Sequence, residues 1–227
     1  MNKSLAIIIL TVIAIAAFLS QRPGGDQQPV SAIEGLPWQI ETLANGSARV
    51  FGLELGSSTL DDARERFGDD MKVGIVAAQG EDGALEAYYN NVTAGVIVGK
   101  LILVAALDKA TLIGLRERAT QRVHMNDATY RYLLNNDDLL QSLRAPIATI
   151  AFIPVTDLDT ETVLKRFGQP QERLRINEHV EHFLYPDRGL DLILDDNGKE
   201  VLQYVAPRDF ARLREPLHDS RESPRKE

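Results

Sequence analysis

The residues in this chain that most resemble a chemical site are the histidines and carboxylates at positions 178–182. Glu178, His179, Glu181 and His182 are all residue types that bind metals. On a β-strand, His179 and Glu181 lie on one face and His182 on the other, because successive side chains alternate. The His-x-x-His spacing suits a helix better than a strand. We therefore predict solvent-facing strand histidines and no metal site.

Two further segments have the outline of a ligand-binding loop, and each lacks residues that the chemistry requires. Residues 95–101 (Gly-Val-Ile-Val-Gly-Lys-Leu) are one residue short of a phosphate-binding loop and place Leu101 where Ser or Thr should hold magnesium. Residues 195–198 (Asp-Asp-Asn-Gly) resemble a calcium loop, but Ile193 and Tyr204 occupy ligand positions where carboxylates belong. No nucleophile–base pattern is visible, so we predict no catalytic, cofactor-binding or metal-binding residues and no enzyme activity.

Composition narrows the classes of partner. The chain has 227 residues, a net charge of −8 and a hydrophobic fraction of 44%, which are ordinary values for a globular protein. An acidic chain repels phosphate backbones, so we expect no nucleic-acid partner. The sequence contains no cysteine, which excludes disulfides, thiolate metal sites, a cysteine nucleophile and a lipid-modified cysteine.

The N-terminal segment has the pattern of a secretory signal. Lys3 precedes an apolar run over residues 5–19 that only Thr11 interrupts, and residues 21–35 are polar and rich in Pro and Gly. A helix over residues 1–20 approaches the length needed to cross a hydrocarbon core of about 30 Å. We predict a signal anchor or a cleaved signal peptide. The expected location is the bacterial inner membrane, single-pass with the C-terminal domain in the periplasm, or the periplasm itself after cleavage.

Two segments that lie one hundred positions apart, residues 58–68 and 158–168, both end in Arg-Phe-Gly. Each begins with acidic residues, which favour a helix N-terminus, and ends at a glycine that suits a helix C-cap. In the first segment, Asp61 and Asp62 are therefore interpreted as helix-start charges rather than as a paired acid and base. Strands are predicted after each helix, and residues 95–106 should form a central strand that is buried on both faces. Together these patterns indicate a duplicated structural unit.

The predicted fold class is α+β, with an N-terminal membrane helix followed by two repeated units of a helix plus an antiparallel sheet and a helical insert between them. The insert is predicted from helical periodicity over residues 108–121 and 127–143. The predicted divisions are a signal segment (residues 1–20), a linker (21–35), repeat 1 (36–107), the helical insert (108–146), repeat 2 (147–214) and a disordered tail (215–227).

A helix that ends in Phe-Gly-x-Pro, followed by an antiparallel meander, resembles a known family. The residues are 160–170 (Thr-Glu-Thr-Val-Leu-Lys-Arg-Phe-Gly-Gln-Pro), 182–185 (His-Phe-Leu-Tyr), 189–194 and 197–201. They are similar to the BamE (SmpA/OmlA) family and to the tandem-repeat fold of the β-lactamase inhibitory proteins. The resemblance covers the second unit and, more loosely, residues 57–106. It implies a small α+β unit and a non-enzymatic role in the cell envelope.

The leading functional hypothesis is a protein-binding or scaffolding module, anchored in the membrane through residues 5–19, that presents a sheet face or edge to an envelope protein. Tyr88, Tyr89, Phe183 and Tyr185 are the candidate interaction surface, although strand alternation should place half of them in the core. One alternative is a small-ligand or lipid carrier with a pocket between the apolar sheet and residues 108–143. A hydrolase is the least favoured alternative.

Overall fold

Two β-sheets form most of the described part of the chain, which comprises residues 34–126 and 128–222 of a computed structural model. The smaller sheet has three short strands: β1 (Glu41–Thr42), β2 (Ala48–Val50) and β3 (Leu53–Glu54). The larger sheet has ten strands in the order β10-β11-β12-β13-β9-β6-β5-β4-β8-β7, and every neighbouring pair is antiparallel. Its strands are β4 (Lys72–Ala78), β5 (Ala84–Ala94), β6 (Ile97–Ala105), β7 (Gln121–Asn126), β8 (Thr129–Leu133), β9 (Ile147–Pro154), β10 (Glu172–Arg175), β11 (Val180–Tyr185), β12 (Leu190–Asp195) and β13 (Val201–Val205).

The described helices are short, and side-chain caps define where several of them begin. They are α1 (Leu60–Phe67), α2 (Lys109–Glu117), α3 (Asn136–Ser142), α4 (Thr160–Phe167) and α5 (Ala211–Glu222), with 3₁₀ turns at Pro186–Arg188 and Pro207–Asp209. Thr59 and Asp62 form a capping box at the start of α1. Asp159 caps α4 by accepting a hydrogen bond from the Thr162 amide.

The two Arg-Phe-Gly segments have equivalent surroundings. Helices α1 and α4 both end at a glycine with positive φ, Gly68 at 94° and Gly168 at 81°. The Tyr89 hydroxyl donates a hydrogen bond to the Gly68 carbonyl oxygen at 3.2 Å. The Tyr185 hydroxyl donates to the Gly168 carbonyl oxygen at 2.9 Å. A tyrosine from the neighbouring meander thus fixes the end of each helix to the sheet.

The larger sheet has two faces, which the pairing register separates. On the helix face, strand residues such as Leu101 and Phe152 pack in one core with Leu60 of α1 and Val163 of α4. We call the opposite surface the far face. At the β10–β13 end of the far face, helix α5 packs on the strands through Leu213 and Leu217, together with Phe210 just before the helix. Nearer the centre, the far face holds a separate buried cluster of Tyr88, Ile102, Ala151, Ile153, Ile193 and Val201.

The predicted α+β fold class is wrong, because the described chain contains more strand than expected and the predicted helical insert is partly a β-hairpin. The described chain is mostly β, and its five α-helices have between 7 and 12 residues each. The predicted helical insert, residues 108–146, contains α2 and α3 but also the hairpin β7–β8, which extends the sheet. Tyr130 and Tyr132 are two residues apart and lie on the same face of β8, which pairs with β4. The strand preference of these residues outweighs the helical spacing of the leucines that predicted one helix. Both predicted repeats contribute strands to one sheet.

The predicted membrane location requires a correction. Across residues 34–126 and 128–222, no helix has the length and apolar character needed to cross a membrane. The predicted signal anchor, residues 1–20, and most of the predicted linker lie outside the described residues. The described structure therefore does not support the predicted single-pass inner-membrane location, nor the transmembrane helix and signal anchor on which that location depends. At the other end, α5 continues to Glu222, inside the tail that the sequence analysis predicts to be disordered.

Candidate functional site

The four aromatic residues predicted to form an interaction surface are buried instead. Tyr88, Tyr89, Phe183 and Tyr185 have relative exposures between 0% and 5%. Tyr89, Phe183 and Tyr185 belong to the helix-face core, whereas Tyr88 belongs to the far-face cluster. Both faces of the central strands are covered, so alternation along a strand does not leave half of its aromatic residues in solvent. The predicted aromatic surface is therefore wrong.

The histidine cluster separates across the sheet as alternation predicts, but His182 does not face solvent. His182 is buried on the far face, and its Nδ1 lies 3.0 and 2.9 Å from the two carboxylate oxygens of Asp191. Glu181 points to the opposite face and pairs with Arg173 and Arg175. The sequence gives no sign of the pair, because Asp191 lies on the next strand and is diagonal to His182.

The His182–Asp191 pair has the base and the orienting carboxylate of a catalytic triad, but its neighbours are apolar. The residues directly opposite His182 on the two adjoining strands are Leu174 and Ile193. Within the described residues, no group of three or more His, Cys, Asp or Glu side chains is placed to hold a metal. This geometry favours a structural role for the pair.

The two outer strands of the larger sheet differ in how well they are protected against further pairing. At one edge, β10 carries Arg173 and Arg175, which both pair with Glu181 of the neighbouring strand. Glu172 of the same strand pairs with Arg214 of α5, at 2.8 Å. Charged side chains and a covering helix discourage another strand from adding to an edge. The β10 edge is therefore closed.

At the opposite edge, strand β7 has little of this protection. Residues 121–124 are exposed, and residues 125 and 126 are half-buried. Among the described strands, β7 pairs with β8 alone, so its outer side presents unpaired backbone N–H and C=O groups. Arg122 is its only Lys, Arg, Asp or Glu residue, and Val123 is 37% exposed. We call β7, together with the exposed side chains beside it, the open edge; it is our candidate functional site.

An ordered group of cationic and aromatic side chains borders the open edge on the helix face. The guanidinium carbon of Arg122 lies 3.6 Å from the centroid of the Tyr130 ring. His124 packs edge-on against the same ring, with 4.5 Å between the centroids. These contacts follow from the register, in which His124 lies directly opposite Tyr130. A guanidinium held over an aromatic ring is pre-ordered for contact with a carboxylate.

The charge at the open edge is opposite in sign to that of the whole protein. Strands β7 and β8 carry Arg122 and Arg131 and no acidic residue. The full chain has a net charge of −8. The edge is therefore a local basic region on an acidic protein, which favours contact with an acidic partner.

An ion pair ties the base of the β7–β8 hairpin to the helices on either side. Arg118, at the end of α2, donates from Nε and Nη2 to the Asp138 carboxylate of α3, at 3.0 and 2.8 Å. The hydrogen bond from Arg118 is the main reason that the pKa of Asp138 is lowered. Next to this pair, the Thr120 amide donates to the Leu133 carbonyl oxygen at 2.8 Å. These contacts hold the base of the β7–β8 hairpin in place relative to α2 and α3.

The far face holds a second group of polar side chains that the sequence analysis does not identify. Glu86 is buried there, and its Oε2 has no hydrogen-bond partner among the described residues. Burial raises the pKa of Glu86 to about 8, and the charge of Arg131 partly opposes this shift. Gly74 gives the Arg131 side chain room, since a Cβ at Gly74 would lie 3.1 Å from Arg131 Cγ. Gln203 is fully buried, and both of its side-chain polar atoms lack partners.

Comparisons with known proteins identify no relative of this chain. No protein-family model, no curated protein and no solved structure matches this chain. The resemblance of residues 160–170 to the BamE family accordingly stays a prediction. The features of the described chain that bear on function are the open edge and the polar groups of the far face.

Proposed function

We propose that this protein is a protein-binding module that accepts an extended segment of another protein as an additional strand along β7. The observation that supports this most directly is the contrast between the two sheet edges. Ion pairs and α5 protect β10, whereas β7 is exposed over residues 121–124. Natural proteins usually cover or charge such an edge, and strand addition is the recognition mode that uses one. Backbone hydrogen bonds supply affinity, and alternate side chains supply specificity.

The side chains of the open edge define the partner segment. In an added strand, alternate residues would lie on the helix face beside Arg122, which the Tyr130 ring holds in place. An acidic residue suits this position. The intervening residues would lie on the other face, beside the exposed Val123. An apolar residue suits that position. The expected partner is therefore an extended segment in which acidic and β-branched apolar residues alternate.

A second copy of this chain is a poorer occupant of the same edge. Pairing two β7 strands would bring together two edges that both carry Arg122 and contain no carboxylate. Cross-strand pairs of opposite charge stabilise a sheet, and like charges destabilise it. An acidic segment from another protein removes this conflict.

A ten-residue peptide of alternating Glu and Val, labelled with a fluorophore, is a suitable probe. We expect its fluorescence anisotropy to rise when the full-length protein is added. Val123→Asp should weaken binding at least tenfold, because it places an unpaired charge beside the apolar residues of the added strand, where burial of the charge is costly. The matched control is Val155→Asp, which changes a valine that is 51% exposed and lies away from this edge. Equal loss of binding in the two variants would contradict the proposal.

Charge reversal at Arg122 tests the specificity of the same site. Arg122→Glu should weaken binding of the Glu-Val peptide about threefold to fivefold, since a cross-strand charge pair contributes roughly 0.2–1 kcal/mol. A Lys-Val peptide should gain affinity for this variant. If both peptides respond in the same direction, Arg122 does not face the bound strand.

A carrier of an apolar ligand is a second candidate function, and the far face supplies the observation that favours it. Gln203 and Glu86 are buried polar groups beside an apolar cluster, and both have unpartnered atoms. Apolar walls with a few polar groups are typical of ligand sites. Native mass spectrometry of gently extracted protein tests this candidate, and a mass equal to that of the chain alone would exclude it.

A further inference from the structure

The regular part of the open edge is short, and it carries two side chains on the helix face. Strand β7 pairs with β8 in unbroken register from Gln121 to His124, and the register shifts between His124 and Asn126. A bulge of this kind bends a strand and interrupts its regular pairing. Because successive side chains alternate between the two faces, the helix-face residues of the regular part are Arg122 and His124.

Both side chains are exposed, and both contact the same aromatic ring. The guanidinium of Arg122 lies over the Tyr130 ring, and His124 packs edge-on against that ring. Within the described residues, neither side chain forms a salt bridge or a side-chain hydrogen bond. At the β10 edge, by contrast, Arg173 and Arg214 each pair with a carboxylate. The open edge therefore holds two ordered basic side chains that have no anionic partner in the described part of the chain.

The spacing of Arg122 and His124 matches the repeat of an extended strand. Residues two apart on a strand lie on the same face, roughly 7 Å from each other along the strand. In an antiparallel pair, side chains directly opposite each other have Cβ atoms about 5 Å apart. A strand added along β7 would therefore bring two of its own residues, separated by one residue, beside Arg122 and His124.

We propose that His124 is a second anion-binding residue of the open edge, and that the partner segment carries two acidic residues separated by one residue; this deepens the proposed function and rests on it. Arginine is charged at every pH at which proteins fold, whereas a histidine ordinarily gains its charge between pH 8 and pH 5. The first acidic residue is then held by Arg122 at any pH, and the second is attracted when His124 is protonated. Since the complex favours the protonated imidazole, binding should tighten as the pH falls.

Other charged and titratable side chains lie on the same part of the helix face. They are Arg122, Tyr130 and Tyr132 of the hairpin, Arg116 and Lys109 of α2, and Glu81 and Asp82 of the turn between β4 and β5. Phenols, amines, guanidinium groups and carboxyl groups ordinarily change charge outside the range from pH 5 to 8. Glu86 has a pKa of about 8 but lies on the far face. On the helix face, a charge change within this range is therefore expected at His124.

Two labelled peptides of identical composition test the spacing of the acidic residues. Each has ten residues and blocked termini, with Val at the odd positions, two Glu among the even positions and Thr at the other even positions. One peptide has Glu at positions 4 and 6, and the other has Glu at positions 2 and 8. Fluorescence anisotropy with the full-length protein gives the affinities at pH 5.5 and 7.5.

The closely spaced peptide should bind about threefold more tightly at pH 5.5 than at pH 7.5, which is the effect of one additional cross-strand charge pair. The glutamates of the peptide stay mostly ionised at both pH values. The widely spaced peptide should show little change, because its second carboxylate lies too far along the strand to reach His124. An equal change in the two peptides would overturn the inference.

Substitution of His124 assigns the pH dependence to one side chain. In His124→Gln the ratio of the two affinities for the closely spaced peptide should fall to about one. In His124→Lys the ratio should also be about one, but binding should be tighter than in His124→Gln at both pH values, because the amine stays charged. The matched control is His179→Gln, which changes an exposed histidine just before β11 and should retain the threefold ratio. A threefold ratio that persists in His124→Gln would assign the effect to another group, such as Glu86, and would overturn the inference.

The same measurements separate a failure of this inference from a failure of strand addition. If both peptides bind and neither responds to pH, strand addition stands and His124 is not an anion-binding residue. If neither peptide binds at either pH, strand addition along β7 is itself contradicted, and the role of His124 is contradicted with it.

Discussion

Glu86 should make the folded protein less stable as the pH rises from about 5 to 8. Its side chain is buried on the far face, and burial raises its pKa from the usual 4.5 to about 8. Between these two values the carboxyl group is protonated in the folded protein and ionised in the unfolded chain. The folded state then binds more protons than the unfolded state, so raising the pH favours unfolding.

The size of the effect follows from the difference between the two pKa values. Each unit of difference corresponds to about 1.4 kcal/mol, so a shift from 4.5 to about 8 gives a loss of about 5 kcal/mol at most. The contribution of Glu86 is fully present below pH 4.5 and is lost as the pH rises through 8. Arg131 limits the loss, because its positive charge partly stabilises the ionised carboxylate.

Urea denaturation at pH 5, 6, 7 and 8 measures this dependence. The slope of the free energy of unfolding against pH should be clearly negative in the unsubstituted protein and close to zero in Glu86→Gln, which is neutral at every pH. A matched control is Glu181→Gln, on the opposite face of the sheet, where Arg173 and Arg175 pair with the carboxylate. If Glu86→Gln retains the full pH dependence, our description of the far face as a closed apolar environment is incorrect.

Two further predictions concern the helix ends and a turn. Tyr89→Phe and Tyr185→Phe should each lower the free energy of unfolding by about 1 kcal/mol, because each removes a hydrogen bond from a hydroxyl to a glycine carbonyl at a helix end. Urea denaturation measures the loss, and a loss in one variant without a loss in the other would contradict the equivalence of the two helix ends. Gly189→Ala should destabilise more than Gly68→Ala: both glycines have positive φ, but a Cβ at Gly189 would meet the Val205 carbonyl, whereas a Cβ at Gly68 meets nothing within 4 Å. Equal midpoints of thermal unfolding for the two glycine variants would show that backbone conformation alone sets the cost.

The local parts of the fold could be predicted from the sequence because short-range chemistry determines them. The acidic starts and glycine ends of α1 and α4 follow from capping preferences. The meander from β10 to β13 follows from alternation and from turn residues such as those at Pro186–Arg188. Strand β6 lies in the middle of the sheet, in keeping with its nearly continuous apolar sequence.

The parts that could not be predicted depend on contacts between distant segments. Strands β7 and β8 are short, and the leucines that follow them have helical spacing, so only the pairing of β8 with β4 shows that the hairpin joins the sheet. The pairing of His182 with Asp191 and the burial of Glu86 arise from the register of neighbouring strands. Whether a strand is at an edge is a property of the whole sheet, so the open edge cannot be identified from the residues of β7 alone.

The most direct test of strand addition is amide hydrogen exchange in the full-length protein, with and without the Glu-Val peptide. If the peptide adds to the open edge, it will pair with outward-pointing amides of Gln121–Asn126, and exchange there should slow markedly. Exchange at Glu172–Arg175, the closed edge, should not change. Protection at the closed edge, or peptide binding without protection of β7, would contradict the proposal that this edge is the binding site.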